Sequence, residues 1–153
     1  MKKLIRLAAL SAALGASMLG GAWAQVATAL PPVQQAGGVE YLSGGIGKDE
    51  SAAIENATRQ WPLTLEFAVK DRQHADFVAG VDVVVRDAKG HTALRATTDG
   101  PFLLARLTPG SYAVDATLDG KALHQRVLVK RGAPAKVVFV WPAGTAVTAE
   151  SRS

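Results

Sequence analysis

The sequence predicts a mainly β fold, a seven-stranded β-sandwich preceded by one short N-terminal helix. Between residues 63 and 141, apolar and polar residues alternate in short runs, as they do in strands that bury one face. Gly, Pro and Asp cluster between these runs roughly every 8–12 residues, which is the spacing of turns in a sandwich. Cysteine is absent, so packing must stabilise the strands without disulfides.

The first 24 residues have the pattern of a signal peptide. Lys2, Lys3 and Arg6 precede a short apolar run over 7–19, and a small-x-small site ends at Ala24. The apolar run is shorter than the ~20 residues that span a bilayer, so we expect cleavage and no stable membrane span afterwards. The sequence therefore predicts a periplasmic or secreted protein of 129 residues, enough for one domain.

Removal of the signal peptide changes the charge balance. The whole chain carries a formal charge of +4, from 17 basic and 13 acidic residues. The mature chain would keep 14 basic and 13 acidic residues, a net charge of +1. This balance gives no indication of nucleic-acid binding, and we expect none.

The mature chain divides into four segments by composition. Residues 25–47 lack periodicity and end in a Gly-rich segment, so they predict a flexible leader. Residues 48–60 predict a short helix, with acids in its first turn and Pro62 after its end. Residues 61–142 hold the sandwich, and 143–153 predict a loose polar tail.

The seven strands follow from period-two alternation. The last of them is apolar on both faces, which predicts a central strand or one that the helix covers. The predicted strands are 63–70, 81–86, 92–97, 102–106, 111–118, 122–129 and 136–141.

Two turns frame the stretch that carries the most recognisable motif. Asp99 and Gly100 precede a proline and predict a tight turn in which Gly100 takes a positive φ. Pro109 and Gly110 predict a second turn. Tyr112 follows as expected for a tyrosine corner, in which the hydroxyl bonds to backbone just upstream.

These motifs resemble the carboxypeptidase regulatory-like domain, although the Asp99–Gly100 turn is two residues shorter here. The resemblance implies a transthyretin-like (prealbumin-like), Ig-like Greek-key sandwich. Among small exported proteobacterial proteins of this kind it implies location and fold, and no activity. The segments that carry it are 81–90, 98–102, 107–112 and Gly120.

No catalytic, metal or cofactor site is predicted. His74, His91 and His124 fall in a loop, a turn and an outward strand position, and their separations match no metal-ligand spacing. The fold also occurs in transthyretin-like hydrolases, but the Tyr-Arg-Gly-Ser tail of those enzymes is missing. A hydrolase would need His91 or His124 beside an arginine in one cleft.

The Gly-rich segment before the helix is the predicted binding loop. It contains Tyr41, Ser43, Gly44, Gly45 and Gly47, whose backbone could contact a partner. The spacing of glycines does not fit a phosphate-binding P-loop, because no glycine lies five residues before Gly47.

Protein–protein contact is the function that the sequence favours. The hypothesis is an exported, non-enzymatic binding or accessory module with an unidentified envelope protein partner, acting through the Gly-rich leader or by strand addition at an open sheet edge. Carbohydrate binding, as in starch-binding-like domains, is the alternative, but the phase of Trp61 and Trp141 predicts that both point into the core. A contiguous apolar patch on a sheet face or edge would favour protein contact.

Overall fold

The computed structural model describes residues 30–145, which form two β-sheets and one α-helix. The predicted signal peptide, the start of the leader and most of the predicted tail lie outside these residues. The elements are β1 (Gln34–Ala36), β2 (Val39–Gly44), α1 (Lys48–Ala57), β3 (Leu63–Lys70), β4 (Ala75–Phe77), β5 (Asp82–Arg86), β6 (Thr92–Thr97), β7 (Phe102–Ala105), β8 (Gly110–Leu118), β9 (Lys121–Val129) and β10 (Ala135–Trp141).

The two sheets share no strand. Sheet A has the order β1-β2-β7-β3-β10, with β4 paired to the far end of β3. Sheet B has the order β6-β5-β8-β9. The pairings are antiparallel except that of β10 with β3, which is parallel and aligns Ala135 with Leu63. The first and last strands of the predicted sandwich therefore lie side by side at one edge of sheet A.

The mainly β class and the single helix are confirmed, but the described residues contain ten strands and not seven. The seven predicted strands correspond to β3 and β5 to β10. The additional strands are β1, β2 and β4, and two of these have only three residues, too few to show an alternating pattern. In β2, residues 41–44 are all buried, so that strand shows no alternation either.

The leader predicted over 25–47 is not flexible throughout. Residues 34–36 and 39–44 are strands, and β2 pairs with β1 on one side and β7 on the other. Gly37 and Gly38 connect them with φ angles of 59° and 81°, which glycine adopts without steric cost. Hydrogen bonding to β7 makes this segment part of sheet A.

Sheet A separates the buried apolar residues into two clusters. The main core lies between the sheets, where Phe67 and Phe139 stack with ring centroids 5.6 Å apart and Trp141 packs beside them. A smaller cluster lies between α1 and the outer face of sheet A. Its members are Leu42, Ile54, Ala57, Trp61, Phe102 and Leu104.

The last strand is an edge strand, contrary to the prediction of a central or helix-covered one. β10 pairs only with β3 within the described residues, and α1 packs over β2 and β7 instead. Its inward residues, Val137, Phe139 and Trp141, are buried, whereas Val138 and Val140 remain 43% and 44% exposed. Its second apolar face therefore lies at the surface.

The motif residues take up structural positions. The Tyr112 hydroxyl donates to the Thr108 carbonyl over 2.7 Å, just upstream in the chain. Pro109 and Gly110 lie between these two residues and lead into β8. The Asp119–Gly120 turn between β8 and β9 has φ angles of 49° and 72°, as a two-residue hairpin loop requires.

Gly100 differs from its prediction, because it does not adopt a positive φ. A Cβ atom on Gly100 would overlap the backbone carbonyl of Gly44 at the end of β2. Glycine is therefore needed for the close approach of two chain segments and not for the turn itself. The neighbouring Asp99 N–H donates to the Ser43 hydroxyl over 2.9 Å and holds the same contact.

Candidate functional site

Three of the five residues predicted to contact a partner lie inside β2. Tyr41 is buried in the main core, and its hydroxyl donates to Gln34 Oε1 over 3.1 Å. Ser43 is buried and donates to the Phe102 carbonyl over 2.9 Å, and Gly44 packs under Gly100. These groups are used within the fold and offer no surface to a partner.

The other two residues form the connection from β2 to α1. The Gly45 N–H donates to Glu50 Oε1 over 2.7 Å, and its carbonyl accepts from the Ser51 hydroxyl over 2.6 Å. Gly47 is exposed, and beside it Ile46 is 69% exposed. Of the Gly-rich segment, therefore, only its last residues are available for contact.

Four exposed apolar residues lie on or beside the part of sheet A that α1 leaves uncovered. We call them the apolar band: Ile46, Phe77, Val138 and Val140. In the sheet, Val140 and Phe77 flank Ala68 of β3 in register, and Ala68 is buried beneath them. Phe77 is 60% exposed, and its ring lies 6.1 Å from that of Phe102.

A groove separates the connection to α1 from β4. Its volume is about 600 Å³, and its lining includes the apolar residues Ile46, Ala52, Phe77 and Pro101. Lys48 and Glu55 are also in its lining. The apolar band thus continues from a sheet face into a concave surface.

The free edge of β10 runs along the apolar band. The Ala135 N–H donates to the Pro62 carbonyl over 2.9 Å, so this residue points its backbone toward β3. The Val138 carbonyl instead accepts from Gln125 Nε2 of β9 over 2.7 Å, so it points away from β3. Because backbone direction alternates along a strand, the N–H groups of Val138 and Val140 and the carbonyl of Val140 also face this edge.

One ion pair marks the polar boundary of the apolar band. Lys136 Nζ lies 2.6 Å from Glu66 Oε2, on the same outer face of sheet A. The Glu66 side chain is 15% exposed, so Lys136 compensates a largely buried carboxylate. Beyond this pair, the outward positions of β10 are both valines.

The outer face of sheet B contains the strongest charge cluster. Asp115 accepts from Arg86 through one carboxylate oxygen and hydrogen-bonds to His124 Nδ1 through the other. The bond to His124 holds the pKa of Asp115 below its usual value, Arg86 acts in the same direction, and partial burial opposes them. The cluster is an ion-paired network on a sheet surface.

The histidines are not gathered into one site. His124 shares Asp115 with Arg86 but lies on an open face, and His91 lies 3.7 Å from Asp87 in the β5–β6 turn. His74 is exposed in the β3–β4 connection. Among residues 30–145, no group of three or more acidic or histidine side chains is arranged to hold a metal ion. The cleft that a hydrolase would need is not formed around either His91 or His124.

Both tryptophans of residues 61–142 are buried, but only Trp141 lies in the core between the sheets, whereas Trp61 packs in the cluster between α1 and sheet A. Trp141 is fully buried and donates from Nε1 to the Lys121 carbonyl over 2.9 Å. Trp61 is 4% exposed and lies beneath the Arg106 guanidinium, 4.1 Å from its ring centroid. Neither ring offers a face on which a sugar could stack.

The sequence indicated part of the apolar band but not its position. The two apolar faces of β10 are visible in the sequence, but there they predict a central or helix-covered strand. Phe77 falls in a stretch that is otherwise polar, and Ile46 lies between glycines.

In the described part of the chain, no helix is long and apolar enough to cross a membrane.

Comparisons with known proteins are limited. No protein-family profile and no curated protein matches the chain. Among solved structures it is similar to GBS52, the minor pilin of the Gram-positive pathogen Streptococcus agalactiae, at 16% identity and a TM-score of 0.44, over 61% of this chain and 49% of that one. It is also similar to BcpA, the major pilin subunit of Bacillus cereus, at 12% identity and a TM-score of 0.38, over 55% of this chain and 29% of that one.

The chain thus spans less than half the length of these pilins. At such identities and TM-scores the likenesses carry no functional argument. The β-sandwich is confirmed by the structure itself, and the resemblance to the carboxypeptidase regulatory-like domain stays a prediction.

Proposed function

We propose that this protein is an exported, non-enzymatic binding module that works by protein–protein contact in the cell envelope. An extended segment of the partner would pair with the free edge of β10 and lay its apolar side chains on the apolar band. The observation that carries the proposal is that, among the described residues, no strand pairs with this side of β10, where Val138 and Val140 expose their apolar side chains and only the Val138 carbonyl is hydrogen-bonded, to Gln125.

Edge strands are usually protected against pairing with other chains. Charged side chains, prolines, bulges or covering segments are the common devices. β10 carries Lys136 at its start and has Gln125 over one carbonyl, but its outward positions from there to Pro142 are valines. Hydrogen bonds between the two backbones would supply the affinity. Every second side chain of the partner strand would contact the apolar band and supply the specificity, as in other cases of strand addition.

The predicted signal peptide supports the location. The resemblance to the carboxypeptidase regulatory-like domain supports the absence of catalysis, since it implies fold and no activity. The buried Trp61 and Trp141 remove the feature on which the carbohydrate alternative depended. The hydrolase alternative requires a histidine beside an arginine in one cleft, and the histidines are dispersed over separate surfaces.

Photo-crosslinking in cells tests the proposal. A photoreactive phenylalanine analogue replaces Phe77 in the apolar band, and the protein is compared with and without Val140→Lys, which would place a charge where the partner strand packs. Leu128→Lys is the matched control, because Leu128 is 55% exposed on β9, away from the apolar band.

We expect a reproducible crosslinked protein with the unaltered chain and with Leu128→Lys, and its loss with Val140→Lys. Thermal melting checks that both variants fold. Failure to recover a reproducible crosslink, or equal crosslinking in the two lysine variants, would exclude binding at this edge.

A further inference from the structure

A second concave surface lies at the end of the sandwich where β3 and β10 begin. We call it the end cleft. It has a volume of about 290 Å³, close to the lower limit of pockets that bind small ligands. Three connections form it: the residues that follow α1, the β7–β8 connection and the β9–β10 turn.

The charge of the end cleft has one sign. Arg59, Lys130 and Arg131 line it and are exposed, and no acidic side chain lines it. Within residues 30–145, none of these three side chains forms a salt bridge. Nearby Arg106 is already engaged, with Nε 3.3 Å from Glu40 Oε2. A concave site lined by unpaired cations concentrates anionic ligands.

Part of the lining of the end cleft is apolar, and prolines restrict its backbone. Trp61, Leu107 and Val129 are buried there, so only small parts of these side chains reach the cleft. Prolines occur in each connection, at positions 62, 109 and 134, and restrict the backbone. A site whose backbone is already restricted loses little conformational entropy when a ligand binds.

We propose that the end cleft binds an acidic peptide segment. Carboxylates of the peptide would pair with Arg59 and Arg131, whose guanidinium groups match carboxylate geometry through two parallel hydrogen bonds. An aliphatic side chain of the peptide would rest on the exposed apolar part of the lining, at Pro109, Ala133 and Pro134. An acidic glycan is less well matched, because Trp61 is covered by Arg106 and has no free ring face.

This site is independent of the β10 edge. The end cleft and the groove beside the apolar band share no lining residue, and β3 separates them along its length. Val140→Lys should therefore leave acidic-peptide binding unchanged. The absence of acidic-peptide binding would leave the proposed function at the β10 edge intact. The absence of a partner at the β10 edge would likewise leave the proposed peptide site intact.

Fluorescence anisotropy with defined peptides tests the proposal on the purified protein. One labelled peptide contains Glu, Asp and Leu, and its partner replaces each acid by the corresponding amide. The binding variant is Arg59→Gln combined with Arg131→Gln. The matched control combines Lys89→Gln with Arg95→Gln, two exposed cations around β6. An oligonucleotide and anionic phospholipid vesicles serve as competitors.

We expect the acidic peptide to bind, the amide peptide to bind at least about tenfold more weakly, and the cleft variant to lose a similar factor while the control keeps its affinity. Affinity should fall as salt rises. Equal binding of both peptides, equal loss in the two variants, no binding of the acidic peptide, or preference for the oligonucleotide or vesicles would overturn the proposal. Thermal melting confirms that every variant is folded.

Discussion

The outer faces of the two sheets differ in polarity. Sheet B exposes a polar outer face, on which Asp115 joins Arg86 and His124 and water can solvate every group. Sheet A has a second apolar face, and α1 covers it through Ile54 where β2 and β7 lie. The cover ends before β10, and Val140 remains at the surface.

This difference separates residues that stabilise the fold from residues that are free for another role. On sheet B, alternation alone decides which side chains are buried, so the outer face needs no further partner. On sheet A, the apolar outer face needs a cover, and the helix provides it for only part of the width. The uncovered remainder is the part whose exposure the fold does not explain.

Removing the cover is expected to have the largest effect. Ile54 is fully buried between α1 and sheet A, so Ile54→Ala leaves a cavity and should lower the free energy of unfolding by about 2–5 kcal/mol. Urea denaturation measures this change. Glu55→Ala, at an exposed position of the same helix, is the control and should change the value by no more than about 0.5 kcal/mol. Equal effects would mean that α1 does not cover the sheet.

The approach of β2 to the Asp99–Gly100 turn gives the next effect. Gly100→Ala places a methyl group against the Gly44 backbone and should cost about 1–3 kcal/mol through overpacking. Gly110→Ala is a matched control, because its Cβ would lie 3.7 Å from the Tyr112 ring, at ordinary contact distance. Thermal or urea unfolding compares the two. A Gly100→Ala protein as stable as the control would contradict the close packing of these segments.

The polar face of sheet B should contribute less and depend on pH. The depressed pKa of Asp115 means that the carboxylate stabilises the fold above its unfolded pKa of about 3.9, and that this contribution is lost as pH falls through the lower folded pKa. Asp115→Asn should therefore cost about 1 kcal/mol or less at pH 7. The difference from the unaltered protein should disappear in acid.

Urea unfolding at pH 7, 5 and 3 measures this prediction. Asp119→Asn serves as the control, since Asp119 is exposed in the hairpin turn and belongs to no salt bridge among the described residues. A stability difference that grows as the pH falls would have the wrong sign and would reject the role of Asp115.

The apolar band should contribute least to stability. Val140→Thr keeps the shape of an exposed side chain and should change the free energy of unfolding by no more than about 0.5 kcal/mol. Val137→Thr places a hydroxyl on the buried face of the same strand and should cost about 1–3 kcal/mol. Comparable losses in both variants would show that Val140 is covered, and the contrast between the halves of sheet A would disappear.

The sequence predicted the elements whose residues alternate between water and core. β8 is an example, since Tyr112, Val114 and Ala116 are buried and their neighbours are not. It did not predict β2, because Leu42 packs under the helix while Tyr41 enters the main core, and a strand buried on both faces has no alternation.

The candidate site was less accessible to sequence reasoning, because it depends on which strands become neighbours. Val138 and Val140 look the same in a central, a helix-covered and an edge strand. The pairing of β10 with β3 alone makes it an edge strand, and the position of α1 over β2 and β7 leaves it uncovered. The end cleft joins residues from three connections that are distant in the chain. Hydrophobic periodicity indicates which residues of one segment are buried. It gives no information on tertiary contacts between segments that are distant in the sequence.

The parallel pairing of β10 with β3 has a consequence for how the protein acquires its structure. β3 is the first strand of the predicted sandwich and β10 the last, so one side of β3 stays unpaired until β10 has been synthesised. Contacts between residues so distant in sequence form slowly, and exposed strands promote aggregation meanwhile. A chain interrupted before Ala135 would also lack Phe139 and Trp141 from its core. Folding of the two-sheet structure to completion therefore has to follow synthesis as far as Trp141.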